Sequence, residues 1–416
     1  MNTRNRSSER IVIAGEEFAT HSGTPFVPFG VNYFRPDTGW APKVWQQFDP
    51  APIGDDLCRL ADLGATCVRV FLTFASFYTE PGKLDPEGLA KFDRFLDLAD
   101  AAGLRVHPTG PDHWEGLPAW ARADRYADEP FLQALEAFWS EFVARYRGRP
   151  TIFAYDLLNE PSVPWDTPAL RTAWGGAVPN PEPGATDLLD YQQLREGIGE
   201  AWTRRQTAAI KQADPDAPAT VGLIQWSIPS KLPTVQAYAA FRPSRIAPYL
   251  DFLEVHFYPL DPLLTYAPGE IEQNLAYLET VVREVACFGK PVVLAEFGWY
   301  GGGAFDDHPP ATEEDQAAWC NAAITRTAGM AKGWLNWGFY DQPGARDVSV
   351  LTGLLRSSGE LKAWGRRFEE LALALPALPE GPALPADLPV LDWDACITDP
   401  AAGDAFREAY RAARGG

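Results

Sequence analysis

TCVRVFL at 66–72, followed by DPEGLAKFDRFLDLADAAG at 85–103, is the stretch on which the fold turns. The first segment is a β-branched apolar run, the form expected of a strand buried on both faces. The second carries apolar residues at 3.6-residue spacing and closes on Gly103. Together they make one strand followed by one helix. The unit then recurs. LRVHPT (104–109) precedes a helix near 129–147, TIFAYDLL (151–158) one near 189–213, and ATVGLI (219–224) a broken helical stretch near 230–247. LDFLEVHFY (250–258), PVVLAEFG (291–298) and GWLNWGFY (333–340) precede helices at 269–288, 312–329 and 360–374. Upstream, FVPFGVN (26–32) and a helix near 52–63 form the first pair.

Eight alternating units imply parallel strands with right-handed crossovers, and eight such strands close a barrel. The expected fold is α/β, a single (β/α)8 TIM barrel. IVIAGEEFAT, a turn at His21-Ser22-Gly23 and FVPFGVNY form an N-terminal hairpin expected to plug its bottom. Residues 1–375 make the barrel with its hairpin, and 376–416 a Pro-rich C-terminal extension (Pro376, Pro379, Pro382, Pro385, Pro389) with a short helix near 400–414. The length of 416 residues, which would allow two or three domains, is used up in this way.

Composition narrows the partners. Asp+Glu 56 against Lys+Arg 36 gives a net charge of −20, so nucleic acid is not expected as a ligand. No apolar run has the length of a membrane span, and MNTRNRSSERIVIAGEEF is polar where a signal peptide is apolar. Five irregularly spaced cysteines read as free thiols of a reducing compartment, and the expected location is cytoplasmic. Trp is abundant at 15 residues, which suggests an unusual core or a flat, apolar-faced ligand.

In such barrels chemistry sits at the carboxyl ends of the strands. Asn159-Glu160-Pro161 closes the fourth strand and Glu296-Phe297-Gly298-Trp299 the seventh, and across a narrow barrel these two carboxylate-bearing ends can face each other over one cleft. One protonated and one ionised carboxyl, kept apart in pKa by their neighbours, is what glycoside hydrolysis needs. Arg69, Tyr258 and the histidines are suitable neighbours. Sugar C–H faces stack on indole, and nine tryptophans (40, 45, 114, 120, 165, 174, 226, 299 and 337) fall in the windows or loops of this face. Trp114, Trp299 and Trp337 are the candidate stacking partners. Long loops after strands 1, 3 and 4 suit a pocket and a short, soluble substrate. Glu254 and Asp251, at the start of strand 6, read as lying at the wrong end for chemistry, and Asp341 as either a sugar ligand or a loop cap. Other chemistries lack their marks. There is no HExxH, no G-x-S-x-G and no basic residue near Gly301-Gly302-Gly303; Lys290 and Lys332 precede their strands. No cofactor or metal is expected.

These residues carry a resemblance. Leu158-Asn159-Glu160-Pro161, His256-x-Tyr258, Ala295-Glu296-Phe297-Gly298, Arg69 in strand 2 and Trp337 ending strand 8 resemble glycoside hydrolase family 5, the cellulase-like retaining β-glycosidases, over roughly 26–370. The resemblance implies that Glu160 is the general acid/base and Glu296 the nucleophile. It implies that Asn159 holds the sugar 2-hydroxyl, Tyr258 orients Glu296, Arg69 keeps it ionised, Trp337 floors the subsite and His256 lies near the acid/base. Arg69 is also a candidate structural partner of Asp156. The family's strand-3 histidine has no matching motif in Pro111-Asp112-His113-Trp114; His113 is the candidate and His107, otherwise a core histidine, the alternative. The expected function is retaining hydrolysis of gluco- or manno-type β-glycosides, with a transglycosylase or a non-catalytic carbohydrate-binding barrel as alternatives.

Overall fold

The computed structural model describes residues 9–38, 43–122, 124–259, 268–305, 308–375 and 384–415. Eight parallel strands close into a barrel in chain order: β1 Phe29–Asn32, β2 Cys67–Thr73, β3 Arg105–Asp112, β4 Tyr155–Asn159, β5 Ala219–Leu223, β6 Leu253–Phe257, β7 Val292–Phe297 and β8 Gly333–Trp337. The helices that follow them are α1 Pro50–Asp62, α2 Pro86–Ala102, α3 Glu129–Tyr146, α4 Leu188–Ala213, α5 Pro243–Ile246, α6 Pro268–Ala286, α7 Glu313–Thr327 and α8 Ala363–Ala374. The (β/α)8 fold expected from the repeat is the fold observed. No helix among the described residues is long and apolar enough to cross a membrane.

Local chemistry explains the boundaries. Asp85 caps α2 by accepting from the backbone N–H groups of Glu87 and Gly88, Pro86 opens the helix, and Gly103 ends it at φ 80°. Asp49-Pro50 and Asp128 repeat this start at α1 and α3. Thr312 and Asp315 form a capping box at α7. Every residue of β2 is buried, which is why Arg69 can stand only where the barrel interior supplies it with partners.

Two segments differ from expectation. The N-terminal segment is a three-stranded sheet: Ile11–Ala14 pairs with Glu17–Thr20, which pairs with Pro25–Phe26. IVIAGEEFAT therefore folds on itself at Gly15, whose φ of 69° suits a tight turn, before the expected turn at 21–23. The sheet does plug the bottom. Phe18 packs edge-on to Phe153 and Phe252 at 5.1 and 5.2 Å, in a cluster with Ile11, Cys67 and Val293. The stretch near 230–247 forms a 3-10 turn at Val235–Ala237 and the single turn of α5, because prolines at 229, 233 and 243 break it. At the C-terminus, helices Trp393–Thr398 and Pro400–Arg414 pack on α4 and α6. Pro376, Pro379 and Pro382 of the expected strap lie outside the described residues.

Candidate active site

The barrel interior holds a layered charge network. Arg69, fully buried on β2, donates from Nη1 to Glu296 Oε1 at 2.5 Å and to Asn32 Oδ1 at 2.8 Å. Its Nη2 donates to Asp156 Oδ2 at 2.8 Å and to Asn159 Oδ1 at 2.9 Å. Its Nε lies 3.4 Å from Glu254 Oε1. One guanidinium thus serves three carboxylates and two amides, and their charge raises its pKa against the opposing effect of burial. Arg69 contacts both Glu296 and Asp156, the two partners considered for it.

Glu296 ends β7 and is buried, while the Glu160 side chain, past the end of β4, is 28% exposed. The hydroxyl of Tyr258 donates to Glu296 Oε2 at 2.9 Å. Burial and the nearby Glu160 push the Glu296 carboxyl up, and the His256 and Arg69 charges offset only part of this, so it stays raised above the usual carboxylate range. His256 Nδ1 lies 3.1 Å from Glu160 Oε1 and 3.6 Å from Glu296 Oε1. Its Nε2 lies 3.6 Å from Glu254 Oε1. Burial alone would lower the His256 pKa, but Glu296, Glu160 and Glu254 outweigh it and raise the value to about 9. Gly222 on β5 makes the room: a Cβ there would lie 3.0 Å from Asp156 Oδ2 and from His256 Nε2.

Ligand atoms of Glu160, His256 and Glu296 all lie within 4.8 Å of one another. The donor set suits proton chemistry better than a metal. A cation would compete with the guanidinium already on Glu296. Glu160 has φ 47°, left-handed backbone for a residue with a Cβ, and its N–H donates to Gly222 O at 2.8 Å.

The remaining candidates differ in where the structure places them. Asn159 has its carbonyl oxygen on Arg69 and is only partly buried. Trp337 is held by a bond from its Nε1 to Ser349 Oγ at 2.7 Å and packs against Phe34 and Phe71. His113 stands on the rim, its side chain 49% exposed, its Nδ1 2.6 Å from Asp112 Oδ1 and its ring stacked on Trp114 at 4.8 Å. It is not drawn into the carboxylate cluster. His107 is a core residue held by Glu254 Oε2 at 2.8 Å and Ala154 O at 3.1 Å. Trp299 is 1% exposed between Tyr300, His308 and Trp319, so it stiffens the wall and offers no face to a sugar. Trp45 is likewise core, Trp114, Trp120, Trp174 and Trp226 are half-buried, and Trp40 lies outside the described residues. Asp341 accepts from Gly353 N–H and from Lys362 Nζ at 2.9 and 3.0 Å, so it holds its loop.

The sequence reading assigns no role to three further contributors. Glu254 points into the barrel beneath His256, not away from the chemistry; its even spacing with His256 and Tyr258 on one strand carried that signal. Gln225 grips the Tyr258 backbone twice, accepting from its N–H at 2.7 Å and donating to its carbonyl at 2.9 Å. Asn32 ties Arg69 to the Ala295 carbonyl beside Glu296.

The family described as Cellulase (glycosyl hydrolase family 5) matches residues 20–341. The chain is 23% identical over 337 residues to putative mannan endo-1,4-beta-mannosidase 9 of Oryza sativa subsp. japonica, covering 70% of this chain and 74% of that one. It is 22% identical over 258 residues to mannan endo-1,4-beta-mannosidase F of Aspergillus clavatus, covering 59% of this chain and half (50%) of that one. A GH5_18 variant from Streptomyces cattleya in complex with Manb1-4GlcNAc superposes with TM-score 0.72 at 21% identity, covering 94% and 92% of the two chains. Exo-beta-1,4-mannosidase Op5Man5 from Opitutaceae bacterium strain TAV5 superposes with TM-score 0.67 at 23% identity, covering 87% of this chain and 62% of that one. With the family match spanning most of the barrel, the chain belongs to glycoside hydrolase family 5 and is a glycoside hydrolase.

Proposed function

We propose that this enzyme hydrolyses short β-mannosides with retention of anomeric configuration, Glu296 acting as nucleophile and Glu160 as general acid/base. The carrying observation is the carboxylate pair: an oxygen of Glu160 and an oxygen of Glu296 lie within 4.8 Å of each other, the close approach that suits retaining sites, whose carboxyl groups stand roughly 5–5.5 Å apart. Their surroundings differ as the two roles demand. Glu296 is buried and held at both oxygens by Arg69 and Tyr258, which fixes its line of attack. Glu160 is partly open to the cleft, where a leaving oxygen can reach it.

In the first step a Glu296 oxygen forms a bond to the anomeric carbon. The glycosidic C–O bond breaks, its electron pair stays on the leaving oxygen, and Glu160 supplies the proton. Water then attacks the anomeric carbon, gives its proton to Glu160, and the ester bond to Glu296 breaks to restore the carboxylate. Asn159 donates to the sugar 2-hydroxyl and Trp337 floors the ring. The manno preference is supported by the relatives and solved structures, among them mannan mannosidases and an enzyme holding Manb1-4GlcNAc.

The test is a panel of aryl β-mannosides, glucosides, xylosides and galactosides beside Manβ1-4GlcNAc and β-1,4-mannobiose, with the first-formed anomer read by NMR. Preference for mannosides with a β-anomer first is expected. Glu296→Ala should lose turnover and recover it with azide, giving the inverted α-glycosyl azide. An α-anomer first, or full activity in Glu296→Ala, would refute the mechanism, and preference for another glycone would refute the substrate.

A further inference from the structure

We propose that Arg195, with Gln192 one helical turn before it, is a positioning residue for the acid/base loop, and that the C-terminal extension is braced into the same hub. The inference rests on the assignment of Glu160 above. Both side chains are fully buried on α4. The Arg195 guanidinium bonds three backbone carbonyls and an amide rather than a carboxylate. It donates to Val163 O, to Pro164 O at 3.4 Å, to Tyr238 O at 2.9 Å and to Gln192 Oε1 at 2.6 Å. Burial lowers its pKa to about 10. A position that needed only filling would be served by an apolar side chain, without the cost of desolvating a cation.

The three carbonyls belong to two loops of the catalytic face. Val163 and Pro164 follow Glu160 in the loop after β4, and Tyr238 lies in the loop after β5. Val163 N–H donates to Ala239 O at 3.0 Å, so Arg195 closes two loops that already touch. Gln192 Nε2 donates to Val235 O at 3.1 Å and to Ile397 O at 2.9 Å, which carries the hub into the C-terminal extension. The Pro400–Arg414 helix presses on the same β5 loop. A Cβ at Gly403 would lie 2.8 Å from Pro229 O and 2.9 Å from Ser230 O, and Arg407 Nε donates to Ser230 O at 3.0 Å.

Glu160 needs such a hold. Its φ of 47° is kept by a residue with a Cβ only where the surroundings impose it. The bond to Gly222 O fixes its N–H side, and the Arg195 clamp fixes the chain after Pro161. Releasing the clamp frees Glu160 to relax, displacing its carboxyl from the leaving oxygen while Glu296, on β7, stays in place.

The test compares full-length Arg195→Met, Arg195→Lys, Gly403→Val and Glu160→Ala on two β-glycosides of the preferred sugar, a dinitrophenyl glycoside and an alkyl one. A variant that only lowers the folded fraction loses kcat/KM equally on both. A displaced acid penalises the alkyl leaving group, and in Arg195→Met that loss should exceed the dinitrophenyl loss by about tenfold or more. Arg195→Lys should recover part of the difference, and Gly403→Val should show it in weaker form. Equal losses on the two substrates in Arg195→Lys and Gly403→Val, beside a leaving-group-dependent loss in Glu160→Ala, overturn the inference even if Arg195→Met does not fold. If Glu160→Ala itself shows no leaving-group dependence, the acid/base assignment fails, and the inference with it.

Discussion

Tyr258→Phe removes one hydroxyl, the donor 2.9 Å from Glu296 Oε2, and should disturb little else. The ring is buried and its backbone is gripped twice by Gln225, so the phenyl group has no reason to move. A hydrogen bond to a charged acceptor is worth about 1.5–3 kcal/mol, or roughly 10- to 150-fold in a rate on which it bears fully. It bears unequally on the two half-reactions. With Glu296 as the proposed nucleophile, attack removes its charge and weakens the hydroxyl's hold; release restores the charge, and the hydroxyl stabilises the carboxylate as a leaving group. Deglycosylation should therefore suffer most. With a dinitrophenyl β-mannoside, kcat should fall by about tenfold to a hundredfold with KM falling in parallel. A pre-steady-state burst should appear, and mass spectrometry of quenched enzyme should find the glycosyl adduct on Glu296. A variant with kcat within about threefold of wild type and no adduct would refute the argument.

Three further outcomes follow from the same geometry. His256 has a folded value of about 9 against an ordinary 6.5, so its contribution to stability is complete below about pH 6.5 and lost as pH rises through 9. The stability gap between wild type and His256→Gln should shrink over that window by up to about 3 kcal/mol; a gap independent of pH would contradict it. Gly222→Ala sets a methyl 3.0 Å from His256 Nε2 and Asp156 Oδ2, and should cost about tenfold or more in kcat/KM with unactivated glycosides by pushing the imidazole off Glu160. Phe18→Ala empties the bottom plug and should cost about 3–5 kcal/mol in urea unfolding, while kcat per folded molecule stays unchanged because the ring sits at the opposite end of the strands.

Most of the barrel was legible because both of its periodicities are strong. A strand such as CVRVFLT is buried throughout, and helices such as 86–102 begin on Asp-Pro and end on Gly. Glu160 and Glu296 were legible because a carboxylate ending a buried strand is costly without a use. What escaped is what depends on other parts of the chain. The apolar pattern of IVIAGEEFAT runs through the turn at Gly15, so hydropathy alone does not mark where the strand reverses. For a tryptophan in a loop, core packing and sugar stacking are equally open from sequence, and Trp45 and Trp299 turn inward to pack against Phe77 and Trp319. His113 was favoured for its place after strand 3, but Asp112 and Trp114 hold it at the rim. Arg195 and Gln192 look like ordinary polar residues of a long helix, and only the return of the β5 loop and the C-terminal helices covers them.

Glu254 shows why the layer beneath the cleft matters to the chemistry above it. Glu160, Glu296, Glu254 and Asp156 converge on one guanidinium and one imidazole that stays protonated to about pH 9. His107, His256 and Arg69 hold the Glu254 carboxyl below the usual carboxylate range despite its burial, and little water reaches its charge to screen it. The protonated His256 is one consequence. The other falls on the substrate. Breaking a glycosidic bond builds positive charge at the anomeric carbon and ring oxygen, and the Glu254 charge beneath the cleft favours that charge in the transition state more than in the neutral sugar. A neutral Gln at 254 would remove one negative charge from beneath the cleft without touching the sugar. Arg69 would then be shared between fewer carboxylates and would hold Glu296 more tightly, and the imidazole would lose its lower partner. Both changes disfavour the oxocarbenium-like state, so Glu254→Gln should lower kcat more than it raises KM. A change confined to KM would assign Glu254 to packing alone.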